Sequence, residues 1–183
     1  MGSGRFDLSG KCAVVIGGTS GLGKAIALGI AGDLAQATRL ADDLNNSYPE
    51  NTIVLVDFLP TIRAAVAIQG RNSSKALVEL EAAAPYELSF TLYPVYLRGQ
   101  AYLYNKQGSA AIAEFQKILD HPGVVQNEPI GALAHLELGR AYALTGDQSK
   151  AKAAYLDFLK LWKDADPDIP ILKQAKTEYA KLQ

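Results

Sequence analysis

Small and apolar residues recur along most of the chain in a fixed register. Ala37, Ala76, Ala111 and Ala151 stand 39, 35 and 40 residues apart. Four positions after each alanine come Ala41, Leu80, Phe115 and Tyr155, and seven after come Leu44, Ala83, Ile118 and Phe158. Offsets of 0, 4 and 7 trace one face of an α-helix, so the pattern predicts four amphipathic helices. A second helix precedes each. In the last two copies it reads Arg98-Gly99-Gln100-Ala101-Tyr102 and Leu138-Gly139-Arg140-Ala141-Tyr142. The turns between are Gly32-Asp33, Gly70-Arg71-Asn72, Gln107-Gly108 and Gly146-Asp147. The repeating unit is therefore helix, short turn, helix. Its small residue in the first helix allows close packing, and the nearby tyrosine is expected to fill the space between helices.

Residues 12–31 follow another pattern. Cys12-Ala-Val-Val-Ile16 is a short β-branched run, Gly17-Gly-Thr-Ser-Gly21-Leu-Gly23 is a glycine turn, and a helical pattern runs from Lys24. Strand, glycine turn and helix together allow close approach to a pyrophosphate at a helix N-terminus. Such a fold needs further parallel strands, and none of the right kind follows. Asp42 and Asp43, at the spacing of a ribose-binding carboxylate, lie in a helical pattern. The one later apolar run, 52–59, is too isolated to rebuild a sheet.

Composition narrows the classes of role. Hydrophobic residues make up 49% and charged residues 20%, a balance that supports a packed core. The formal charge of −1 argues against a general nucleic-acid binder or a ligand of anionic membranes. One cysteine, Cys12, leaves no internal disulfide, and two histidines, His121 and His135, leave little for a metal site. No stretch reaches the roughly 20 apolar residues of a membrane helix. The expected location is the cytoplasm.

The pattern at 95–120 and 135–160 resembles the tetratricopeptide repeat (TPR), with its Leu-Gly-x-Ala-Tyr first helix and Ala-x3-Phe second helix. The match extends to 62–84 and, in its second helix, to 25–49. The tail at 161–176 is similar to tails of repeat regions attached to bacterial eukaryotic-like serine/threonine kinases, although no kinase element is present. Residues 5–30 resemble the N-terminus of short-chain dehydrogenases/reductases. That resemblance implies that Gly17, Gly21 and Gly23 form a nucleotide loop, with Ile16 standing where the family usually has threonine.

The expected fold is all-α: a TPR-like superhelix of about four helix pairs over 32–183, closed by a capping helix at 169–182. A strand-and-glycine-loop fragment at 1–31 would precede it. The helix 21–31 serves both patterns, which suggests a fusion with its junction near 25–31. The resemblance to TPR domains implies protein or peptide binding through the concave face, with Tyr93, Tyr96, Gln100, Tyr104, Leu136 and Arg140 lining it and no catalysis. One alternative is an oxidoreductase or nucleotide binder that uses the glycine loop with NADP or NAD. The other is a homodimer built through the orphan strand. Ser89, Tyr102 and Lys106 have the catalytic spacing of the dehydrogenases. Tyr142, the repeat twin of Tyr102, lacks the lysine, so the spacing is read as coincidence.

Overall fold

The computed structural model describes residues 32–182. Among them every regular element is helical and no strand occurs. The expected strand at 12–16, the glycines Gly17, Gly21 and Gly23, and the helix 21–31 lie outside the described residues. The chain divides into two compact units between Phe90 and Thr91, inside the span that the sequence pattern reads as one domain.

In the first unit, α1 (Leu34–Ser47) starts where the Asp33 carboxylate accepts the Gln36 N–H at 3.2 Å. A π-helical turn, Val54–Phe58, runs directly into α2 (Leu59–Gln69). The apolar run at 52–59 is thus helical. Pro60 accounts for the wide turn. It has no N–H for the Val56 carbonyl, and its ring would collide with that carbonyl in a regular α-helix. Leu59 instead donates to the Val54 carbonyl, one residue further back. α2 buries Leu59, Ile62, Ala64, Ala65, Ala67 and Ile68, and so is apolar on nearly every side. α3 (Ser73–Glu79) then tightens into a 3-10 segment, Leu80–Tyr86, that contains Pro85. Ala83 falls in this segment rather than in an α-helix, yet it stays buried.

The second unit holds α4 (Tyr93–Tyr104), α5 (Gly108–Asp120), the single turn α6 (Pro122–Val125), α7 (Pro129–Thr145), α8 (Gln148–Leu161) and α9 (Pro170–Ala180). Proline stands in the first turn of α4, α6, α7 and α9, where its missing N–H costs nothing. α5 packs on α4 and α7, α8 packs on α7, and α9 lies against α8. Leu172 and Ala175 of α9 join Leu136, Tyr155 and Phe158 in one core, with Trp162, Tyr179 and Leu182 half buried around it.

The turns share one geometry. Gly32, Arg71, Lys106 and Gly146 all have positive φ, at 91°, 60°, 60° and 84°. Each stands five residues before one of the register alanines, and all four alanines are fully buried. Each alanine N–H donates to the carbonyl of the residue after the turn, Asp33, Asn72, Gln107 or Asp147. The Asp33, Asn72 and Asp147 side chains also cap their helices.

The small residue seven before the turn meets the large one nine after it. A Cβ built on Gly99 would stand 2.6 Å from the Phe115 ring, and one on Gly139 would stand 2.7 Å from the Tyr155 ring. Close contact of α4 with α5, and of α7 with α8, therefore requires glycine. The expectation that Tyr102 and Tyr142 fill these spaces is corrected. Phe115 and Tyr155 from the facing helices occupy them, while Tyr102 and Tyr142 stay half exposed. The Tyr142 ring instead lies 5.5 Å from the Lys150 ammonium.

Candidate functional site

The second unit contains an open cleft of about 400 Å³ between α4, α7 and α9. Helical spacing aims its polar groups. Tyr96 and Gln100 are four apart on α4, Glu137 and Arg140 three apart on α7, and Gln174 and Glu178 four apart on α9, so each pair shares a face.

Glu137 is only 4% exposed, and one of its oxygens gathers three donors. Its Oε1 accepts from Arg140 Nη1 at 3.0 Å, Gln100 Nε2 at 3.3 Å and Tyr96 Oη at 3.4 Å. Arg140 also grips Glu178 with two bonds, Nε to Oε2 at 2.8 Å and Nη2 to Oε1 at 3.1 Å. Tyr155 Oη donates to Glu178 Oε2 at 2.9 Å, and Gln174 Nε2 donates to Oε1 at 2.8 Å. One guanidinium thus serves two carboxylates on different helices.

Environment separates the two carboxyls. Burial pushes the Glu137 carboxyl above its ordinary range, against the pull of Arg140 and Gln100. Burial also raises Glu178, but hydrogen bonds from Arg140, Tyr155 and Gln174 with the Arg140 charge outweigh it and hold that carboxyl low. Burial first, and then Glu137, Arg140 opposing, push the Tyr96 hydroxyl well up. Tyr104 is raised for the same reasons.

The expected groove residues fall into two groups. Gln100, Tyr104 and Arg140 line the cleft, and Tyr104 is 62% exposed. Tyr96 is buried beneath it, edge-on to Phe115 with ring centroids 5.9 Å apart. Tyr93 is held by Glu128 at 2.7 Å. Leu136 is fully buried in the core with Tyr155 and Phe158, so its assignment to the groove lining is corrected. Helical periodicity turns it one position away from Glu137 and into α8 and α9.

Sequence reasoning did not find Glu137, Glu178, Tyr155 or Gln174. The available signal was Glu137, a carboxylate inside the apolar run Leu136-Glu137-Leu138 and three residues from Arg140. Of the dehydrogenase-like triplet, Ser89 lies in the first unit and Tyr102 and Lys106 in the second. The Tyr102 carbonyl accepts the Gln107 N–H at 2.8 Å, and Lys106 is the exposed left-handed residue of the same turn. Cys12 and the glycine loop lie outside the described residues.

Among the described residues no group of three or more His, Cys, Asp or Glu side chains is arranged to hold a metal. His121 Nδ1 lies 2.8 Å from the Lys117 carbonyl. Burial pushes the His135 ring below its ordinary value, with Asp157 opposing. No helix among the described residues is long and apolar enough to cross a membrane. Comparison with protein-family models, curated proteins and solved structures finds no match in any of the three.

Proposed function

We propose that the chain is a non-catalytic, TPR-like scaffold that binds peptide or protein segments in the cleft between α4, α7 and α9. On this reading, helix pairs stack as a superhelix, α9 caps it, and a fragment resembling short-chain dehydrogenases precedes it through a fusion. Four turns of one geometry at repeat spacing, and the paired glycine–aromatic contacts, support the repeat reading. The cleft carries the functional reading. Its polar floor is fixed by mutual hydrogen bonds before any ligand arrives, so most of the ordering cost falls on the peptide. Leu103, Tyr104 and Leu144 supply apolar surface at its sides.

Selection of a displayed random 12-residue library on the full chain tests this. Enriched peptides should bind, and Tyr104→Ala or Leu144→Arg should weaken them by about tenfold or more, with circular dichroism unchanged. An absence of enriched peptides, or binding indifferent to both changes, would contradict the proposal. Titration with NADP and NAD addresses the alternative at the opening glycines. Saturable binding abolished by Gly21→Asp would favour an oxidoreductase or nucleotide-binding role.

A further inference from the structure

The cleft holds a charge imbalance that points to the chemistry of its ligand. Two carboxylates, Glu137 and Glu178, share the single guanidinium of Arg140, and among the described residues no other cation lies within ion-pair distance of either. The neutral donors Tyr96, Gln100, Tyr155 and Gln174 stabilise the carboxylates without cancelling charge. With both carboxyls ionised the cluster carries a net negative charge in a largely desolvated place. All three donors to Glu137 converge on Oε1. Oε2 accepts from none of them, and it is not sealed, because no side-chain oxygen among the described residues is both buried and without a partner. Glu137 is a wall of the cleft. Glu137, buried in a wall of the cleft, thus keeps one oxygen that takes none of the cluster's three donors.

We propose that this oxygen is the seat for a basic side chain, lysine or arginine, of the bound peptide. The inference rests on the peptide-binding reading above. The cationic head would donate to Glu137 Oε2, and its aliphatic stem would lie along Leu103, Tyr104 and Leu144. The exposed Tyr104 ring adds a face that attracts cations. Burial raises the Glu137 carboxyl, with Glu178 adding to the rise, so a cation seated beside it would favour its charged form. Lys106 lines the mouth and is exposed, so water weakens its repulsion of a bound cation without abolishing it.

The test uses the full chain and pooled pentapeptides with free composition at four positions and one fixed residue at the centre. Pools fixed as arginine or lysine should bind about tenfold tighter than pools fixed as glutamine, methionine or glutamate. Glu137→Gln, with its fold checked by circular dichroism, should reduce that preference to about twofold or less. Lys106→Gly changes an exposed turn residue and removes the competing charge, so it should tighten the arginine and lysine pools. Pools that bind without a basic preference, a preference that survives Glu137→Gln, or weaker basic pools in Lys106→Gly would overturn the seat and leave the cleft a peptide site. Methylguanidinium that competes as well as the arginine pool would overturn the peptide as source of the cation. Failure of every pool to bind would overturn the seat and the peptide-binding reading together.

Discussion

The two units use one register with different chemistry. In the second, glycine on one helix faces a large ring on the next, Gly99 with Phe115 and Gly139 with Tyr155. In the first, the same positions hold Ala64 and Leu80, and its core is built from Ala37, Ala41, Val54, Leu59 and Ile62. Both Ala64 and Leu80 are fully buried, and a larger residue on one helix alongside a smaller one on the other would conserve the packed volume. The exchange has a functional consequence. The Tyr155 ring carries a hydroxyl that donates to the Glu178 carboxylate and helps fix the helix that walls the cleft. The first unit has aliphatic side chains at these positions and has no equivalent donor there.

The largest expected effect comes from removing a ring. Phe115→Ala empties a fully buried site and should cost about 3–5 kcal/mol by urea denaturation. A loss below about 1 kcal/mol would show that the glycine contact carries no packing energy. Next comes Arg140→Ala, which strands Glu137 and Glu178. The Arg140 side chain is 22% exposed, so the loss should be about 2–3 kcal/mol rather than the larger cost of a wholly buried pair.

Gly99→Ala forces a Cβ into the Phe115 ring and should destabilise by about 1–3 kcal/mol. Adding Phe115→Leu gives these positions the alanine and leucine that the first unit carries in the same register and should recover most of that loss. A double variant no better than the sum of the two single changes would refute the exchange. The smallest effect belongs to the turns. Lys106→Gly and Arg71→Gly relieve a left-handed L-residue, and after the extra entropy of an unfolded glycine each should gain about 0.5 kcal/mol in thermal melts. Gly146→Ala should lose about 1 kcal/mol.

Much of the helical pattern was legible because its determinants are local. The alanine register, the turn residues and the two glycines sit at fixed spacings that a single helix pair imposes. The tighter segment at Leu80–Tyr86 and the wide turn at Val54–Phe58 are not legible in the repeat pattern, although Pro85 and Pro60 mark them. A proline says that a helix must change there without saying which way. Gln100, Tyr104 and Arg140 line the cleft because they follow the first-helix face. Tyr96 and Leu136 lie on nearby positions but point inward, a difference of a fraction of a helical turn that the repeat pattern alone does not resolve. Glu178 was hidden for another reason. Its bond to Arg140 spans 38 residues and forms only once α9 has docked.

The most direct test is amide NMR of the full chain with an enriched peptide added. Shifts should concentrate at Gln100, Leu103, Tyr104, Leu144 and Gln174, with residues 54–86 unmoved. Shifts centred on residues 54–86, or on the opening glycines, with the cleft silent, would contradict peptide recognition between α4, α7 and α9.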